Sequence, residues 1–327
     1  MKRREFIRVL GGATVAWPLA ARAQDPALPV IGFLHPGSPE RNADLVAAFR
    51  QGLSETGYVE SRNVAIEYWW GDDRFDRMPG LAADLVRRRV AVIVVTSTAA
   101  VLAVTRTTSK IPVVFNFASD PVELGLVASL SRPGGNTTGI TFLSGELAPK
   151  QLELLHKLVP TASTMALLVD HTNSKLAETL SRDVLAAART RGLQLQIVHA
   201  STERELDGAF ARLLQLRADG LLIGPHPFLN GRNEQVAALA IRHAVPAIYQ
   251  FREFPAAGGL MSYGTIHTDP YRDAGIYAGK ILGGVNPGDL PVQQPSKFEL
   301  VINLKTARAF GLDVPRSLLV RADEVIE

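Results

Sequence analysis

Ala91-Val92-Ile93-Val94-Val95-Thr96-Ser97-Thr98-Ala99 passes without a break from apolar side chains to two hydroxyls. A continuous apolar run of this length, with no polar alternation, fits a strand of a parallel sheet covered on both faces. Ser97 and Thr98 are cap residues, and a helix is expected from Ala99. The same strand–polar turn–helix unit recurs outward in both directions. Val30–Leu34, Ile111–Phe117, Met165–Asp170, Leu193–Val198, Gly220–Gly224 and Val245–Tyr249 read as further strands. Between them lie apolar stripes at helical spacing: Leu45, Phe49, Leu53; Leu152, Leu155, Leu158; Leu176, Leu180, Val184; Leu206, Phe210, Leu213. These stripes are core packing. The repetition predicts an α/β protein of doubly wound parallel sheets, and 327 residues are enough for two of them.

The turn chemistry of Ser131-Arg132-Pro133-Gly134-Gly135-Asn136 marks the expected break between sheets, followed by Thr138–Phe142 and a second βα series from about Glu146. The helical stretch Tyr271–Leu282 is expected to return to the first lobe before the tail recrosses, making a multi-strand hinge. The resulting division is 28–143 plus 269–285 for the N-terminal lobe, and 144–268 plus 286–327 for the C-terminal lobe.

Residues 1–23 carry five cations and one anion of a chain whose formal charge is +3, so the remainder is close to neutral. Net charge therefore gives no support to nucleic-acid binding. Lys2-Arg3-Arg4-Glu5-Phe6-Ile7-Arg8 is a basic head, Val9–Ala21 is an apolar run too short to span a bilayer, and Ala21-Arg22-Ala23 supplies small residues for a signal peptidase. The pattern resembles a twin-arginine export signal. Cleavage after about Ala23 would release a periplasmic protein that is not membrane-embedded. Cysteine is absent, which removes disulfides, thiolate metal sites and thiol nucleophiles.

Catalytic signatures are missing. There is no Gly-x-Ser-x-Gly, no His-Glu-x-x-His and no Gly-x-Gly-x-x-Gly after the first strand, where His35-Pro36-Gly37 stands instead. Gly275-Ile276-Tyr277-Ala278-Gly279-Lys280-Ile281 is one residue short of a phosphate loop and reads as helix. The histidines lack metal-ligand spacing, and neither a metal nor a cofactor is expected.

In such sheets a ligand sits beyond the carboxyl ends of the strands. Ser97 and Thr98 stand there, either as plain caps or as a carboxylate seat at a helix N-terminus. Phe117 and Asp120 follow the next strand; Asp120 either pairs a ligand ammonium or caps the helix begun by Pro121. In the second lobe Asn173, His226, Phe228 and Tyr249 end strands, with Tyr263 beyond them. The aromatic members are placed to flank a flat ligand. Tyr68-Trp69-Trp70 is read as rim packing.

Ser97-Thr98-Ala99-Ala100, Ile111-Pro112-Val113-Val114-Phe115, Asp120-Pro121-Val122 and Ser131–Gly139 resemble the ABC-transporter substrate-binding proteins of the tryptophan/tyrosine-type group. So do Arg252-Glu253-Phe254, Gly258–Gly264 and Pro295–Leu304. The resemblance runs from about Val30 to Glu327. It implies a type I periplasmic-binding fold, with two Rossmann-like lobes, three crossovers and a ligand in the cleft, and it implies no catalysis. It further implies a small-molecule ligand, such as an aromatic amino acid or related carboxylate, an inner-membrane ABC permease as partner, and a monomer. A periplasmic sensor feeding a receptor kinase would use the same fold, and an exported hydrolase is the remaining rival. Two departures stand out: His226-Pro227 where the family often has Asp-Pro, and His171-Thr172-Asn173 where Asn-Pro is common. Imidazole in place of carboxylate beside a ligand ammonium would remove a charge-assisted bond of about 1.5–3 kcal/mol.

Overall fold

The computed structural model describes residues 28–142 and 144–327. The basic head, apolar run and cleavage site read at residues 1–23 lie outside the described residues. The first lobe opens with β1 (Val30–His35), α1 (Ala43–Glu55), β2 (Ala65–Trp70), α2 (Met78–Arg88), β3 (Val92–Val95), α3 (Thr98–Thr107), β4 (Val113–Phe117) and β5 (Thr137–Thr141). The second begins with α4 (Ser144–Leu158), β6 (Thr164–Val169), α5 (Ser174–Arg189), β7 (Gln194–His199), α6 (Glu203–Leu216) and β8 (Gly220–Ile223). It continues through α7 (Pro227–Asn230), α8 (Asn233–Arg242), β9 (Ala247–Tyr249), α9 (Glu253–Ala256) and β10 (Met261–Gly264). After α10 (Asp269–Leu282) come β11 (Glu299–Asn303), α11 (Leu304–Ala309), α12 (Arg316–Leu319) and β12 (Glu324–Ile326).

The strands form two sheets, ordered β2-β1-β3-β4-β5 and β12-β11-β10-β9-β8-β6-β7. All pairings are parallel except β10 with β11. The expected α/β class and doubly wound sheets are therefore present. Each sheet contains the same winding, β2-β1-β3-β4-β5 in the first and β7-β6-β8-β9-β10 in the second. The chain reverses direction across the sheet between β1 and β3, and again between β6 and β8, so each lobe has one topological switch point.

β3 explains the unbroken apolar run. All four of its side chains are buried. Val92 and Val94 pack towards Phe49 and Leu53 of α1, while Ile93 and Val95 pack towards Leu85 of α2 and Val101 of α3. Helices cover both faces, so neither face needs polar residues.

The first lobe is completed by a helix that enters from the second sheet. Tyr271, Ala274, Tyr277, Ala278 and Ile281 of α10 share a core with Ile31, Phe33, Phe49 and Leu53. Two helices normally run 8–10 Å apart; α1 and α10 approach closely enough that glycine is required at the contact. A Cβ on Gly52 would lie 1.8 Å from the Arg272 carbonyl oxygen, and one on Gly275 would lie 2.1 Å from the Phe49 carbonyl oxygen. One on Gly279 would meet Thr56 Oγ1 at 1.8 Å. The glycines of the false phosphate loop are a helix-packing surface.

Two boundaries differ from the sequence reading. The turn at 131–136 leads into β5, which pairs with β4 from Val113↔Thr137 to Phe117↔Thr141, so the first departure from the sheet comes after Thr141. Residues 287–293, expected in the second lobe, lie along β5. Thr138 Oγ1 donates to the Leu290 carbonyl at 2.6 Å, and Gln293 N–H donates to the Gly139 carbonyl at 2.9 Å. The chain thus passes between lobes after Thr141, after Gly264 and after Gln293. β10, β11 and β12, absent from the sequence reading, extend the second sheet. No helix among the described residues is long and apolar enough to cross a membrane.

Gly52→Ala forces α1 away from the α10 backbone, and overpacking of this kind costs about 1–3 kcal/mol. The melting midpoint is expected to fall by about 3–10 °C. Gly208→Ala, on the exposed face of α6 with open space at its Cβ, is expected to leave it unchanged or slightly raised. Differential scanning calorimetry of the two variants checks the assignment.

Candidate functional site

Both switch points open into one cavity of about 790 Å³ between the lobes. From the first lobe it is lined by His35 at the end of β1, by Thr96, Ser97 and Thr98 after β3, and by Asn116 and Phe117 of β4. From the second lobe come Thr172 and Asn173 after β6, and Pro225 and His226 after β8. Phe75, Phe142, Phe251 and Tyr271 supply aromatic walls.

Sheet register places a row of side chains across the cavity floor. Leu34 pairs with Val95 and Val95 with Phe115, all three facing α2 and α3. One step further along each strand, His35, Thr96 and Asn116 stand side by side on the opposite face, towards α10. Gly37 N–H donates to His35 Nδ1 at 2.9 Å, so the His35 proton is on Nε2, 3.2 Å from the Tyr271 hydroxyl. Burial pushes the His35 imidazole down to about 3, helped by nearby His267, and pushes His267 down to about 4. Both rings are neutral at physiological pH. Asn116 is 2% exposed, and neither Oδ1 nor Nδ2 has a protein partner.

The N-termini of α3 and α5 face each other across the cleft. Ser97 accepts from Ala100 N–H and caps α3; Asn173 accepts from Leu176 N–H and caps α5. The Asn173 amide also donates to Thr98 Oγ1 at 3.2 Å, tying the two helix starts together. Lys175 Nζ reaches Glu123 of the first lobe at 3.3 Å. Asp73, held in a turn where Asp72 and Asp73 are both left-handed (φ 54° and 61°), pairs with Arg41 of its own lobe and, at 2.9 Å, with Arg232 of the other. The Phe75 and His226 rings meet across the cleft with centroids 4.8 Å apart. The lobes are closed.

Of the side chains singled out in the sequence, Ser97, Thr98, Phe117, Asn173 and His226 line the cavity. His226 is spoken for within its own lobe: Nδ1 lies 2.8 Å from Asp170 Oδ2, and Nε2 lies 3.3 Å from Thr172 Oγ1. Burial alone would raise the Asp170 carboxyl, but His226, Thr172 and Ser201 hold it down at about 2.

Four side chains lie elsewhere. Asp120 accepts from Val122 N–H at 2.8 Å and Glu123 N–H at 3.2 Å, so it is a turn cap beside a separate, smaller cavity. Phe228 is buried beneath the Arg232 guanidinium, 4.2 Å from the ring centroid. Tyr249 is fully buried against Phe254, and Tyr263 stacks on Phe298. In β9 the alternation turns Tyr249 away from the cleft, and Phe251, two residues on, reaches the cavity through the turn. Sequence reasoning missed Asn116, Tyr271, His267 and Glu253. Asn116 was visible as a polar residue inside an apolar strand; Glu253 and His267 lie a few residues past the ends of β9 and β10, and Tyr271 lies in the helix α10 that returns to the first lobe.

The family model described as ABC transporter substrate binding protein matches residues 35–326. A curated relative, the tyrosine-binding protein of Clostridioides difficile (strain R20291), is 27% identical over 273 residues, covering 81% of this chain and 75% of that protein. A solved structure of a conserved domain protein from Vibrio cholerae superposes with a TM-score of 0.83 at 23% identity, over 91% of this chain and 99% of that one. The ABC domain in complex with L-Trp from Streptococcus pneumonia superposes with a TM-score of 0.82 at 24% identity, over 92% of this chain and 100% of that one. Their likeness establishes the two-lobed type I periplasmic-binding fold.

The neutral histidines set an acid limit on stability. An unfolded chain takes protons on His35 and His267 below about pH 6.5, which the folded chain refuses down to about 3 and about 4. Stability therefore falls as pH drops through that window. Burial raises the Glu253 carboxyl, which opposes the loss above the ordinary carboxylate range. The melting midpoint is expected to drop by about 5 °C or more between about pH 7 and pH 5. His267→Gln should make that slope shallower, as read from thermal melts across a buffer series.

Proposed function

The chain belongs to the ABC transporter substrate binding protein family, and on that premise we propose that it is an exported, monomeric receptor of the periplasm. It captures a small organic acid bearing a flat or aromatic group between its lobes and hands it to an inner-membrane ABC permease. The observation that carries this reading is the enclosed cavity between the two switch points, walled by aromatic rings and capped by facing helix N-termini.

The helix starts of α3 and α5, beyond the N–H groups capped by Ser97 and Asn173, present the positive ends of two dipoles. Together these form a seat for a ligand carboxylate. Phe75, Phe117, Phe142 and Phe251 contribute the apolar contact area. If the ligand also carries an ammonium group, Glu253 takes the part that Asp120 does not. It lines the cavity, its Oε2 is buried without a protein partner, and burial raises its carboxyl. The names of the relatives, a tyrosine-binding protein and a domain crystallised with L-Trp, agree with a ligand of this kind. Nothing in the cavity pairs an activated nucleophile with a free base: the imidazole of His226 is held by Asp170 and that of His35 by Gly37 and Tyr271.

Closure supplies the signal read by the permease. Asp73–Arg232, Thr98–Asn173 and Glu123–Lys175 form only when the lobes meet. A ligand that touches both lobes binds the closed form better and shifts the population towards it.

Thermal unfolding of the chain from Gln24 onward, against tyrosine, tryptophan, phenylalanine, aromatic acids without an amine and short carboxylates, tests the reading. A true ligand at a hundred times its dissociation constant stabilises by about 2.7 kcal/mol, a rise of about 5 °C. The bound molecule is expected to be recovered unchanged. No rise with any compound, or recovery of a product, would overturn the proposal. Asp73→Asn should weaken the affinity of whichever compound binds by about tenfold and enlarge the radius of gyration of the liganded protein in small-angle X-ray scattering. An unaltered radius and affinity would remove the latch.

A further inference from the structure

We propose that Asn116 is the specificity-determining residue of the cavity and reads a neutral amide edge of the ligand, a carbonyl acceptor beside an N–H donor, as in a carboxamide or lactam. The inference rests on the binding reading above and names the group that the first lobe accepts.

Asn116 lies at the carboxyl end of β4, beside the first switch point, and lines the cavity while only 2% exposed. A buried amide of this kind normally has its hydrogen bonds made. Here neither Nδ2 nor Oδ1 finds a protein partner, although polar neighbours stand on both sides. Of the side chains in that row, His35 takes the Gly37 N–H on Nδ1 and faces Tyr271 with Nε2, while the Thr96 hydroxyl is, like the Asn116 amide, buried without a hydrogen-bond partner. Asn116 therefore offers one donor and one acceptor, side by side, to whatever occupies the floor of the cavity.

The complement of a carboxamide is another amide-type edge, which makes two parallel hydrogen bonds. A phenol places a single oxygen against the pair, and an indole N–H satisfies only Oδ1. Each leaves one buried Asn116 atom unpaired. A charged group suits the floor poorly, because the imidazoles beside it are neutral and the cationic side chains of the lining are already matched. Arg41 and Arg232 meet Asp73, and Lys175 meets Glu123.

The test uses two scaffolds, L-phenylalanine and benzoate, each with a para carbamoyl, acetyl, hydroxyl or hydrogen substituent. Carbamoyl and acetyl share shape and carbonyl and differ only in the N–H donor. Isothermal titration of the wild type is expected to favour carbamoyl over acetyl by about 10- to 100-fold. Asn116→Leu, checked for folding by its unliganded melt, should bind the two equally. Equal binding in the wild type, or a preference that survives Asn116→Leu, overturns the proposal. So does a uniform loss across all four phenylalanines in Asn116→Leu with the benzoates unaffected, which would assign Asn116 to the amino-acid head group. If none of these probes binds while a compound of the broader panel does, the amide edge is wrong and the receptor reading stands. If neither set binds, both fall.

Discussion

α10 can lie against α1 only because Gly52, Gly275 and Gly279 carry no side chain. Much of the site depends on that contact. α10 leaves the second sheet at Gly264 and docks on the first lobe, so its first turn stands where the two lobes meet. Tyr271 is carried there against His35, and the hydroxyl, together with the Gly37 N–H, leaves the imidazole a single tautomer. His267 comes with it, stacked on Phe251 of the second lobe at 3.9 Å. A bulkier contact would displace the whole turn, and the row at the ends of β1, β3 and β4 would lose the partner that defines it. Close backbone approach here is a requirement of the site as well as of the core.

Electrostatics explains why the closed arrangement is tolerated. Two helix N-termini facing each other, with Arg41, Lys175 and Arg232 nearby, concentrate positive potential in the cleft. The structure answers with carboxylates on the opposing lobe: Asp73 for Arg232 and Glu123 for Lys175. Inside the second lobe Asp170 lies against the His226 imidazole. His226 Nδ1 is thus taken up by Asp170, one strand away. Glu253 stands apart from these pairs, with a buried oxygen and His267 4.0 Å from its other one.

The architecture was legible because parallel strands announce themselves. Ala91–Thr96 and Met165–Asp170 are apolar throughout and end in cap residues, and β3 and β6 follow. β10, β11 and β12 were not legible, because Met261–Gly264 mixes polar and apolar residues, β11 follows a long Pro-containing connection after α10, and β12 is only three residues long at the sheet edge. At the cavity, the strand-end rule found Ser97, Thr98, Asn173 and His226, whose backbone positions sit at switch points in either lobe. It failed for Tyr249 and Phe228, where an aromatic beside a strand end looks like a ligand contact but points into the lobe. Burial in the second-lobe core, rather than distance from the strand end, separates the two groups. Asp120 failed for another reason: a cap satisfies the carboxylate locally, and sequence alone leaves both outcomes open.

The cavity's residues also divide by lobe in a way that orders recognition. His35, Thr96, Asn116 and Tyr271 all belong to elements of the first lobe, so the floor is assembled whether or not the lobes are closed. Asn173, Lys175 and Arg232 reach first-lobe partners only across the cleft. On the proposed reading, a ligand arriving at the open protein meets the complete floor and half of the proposed carboxylate seat. The second half, and the ion pairs around the rim, are gained together on closure. Discrimination on that reading is placed ahead of the latch, where a poorly matched ligand can leave before the lobes commit.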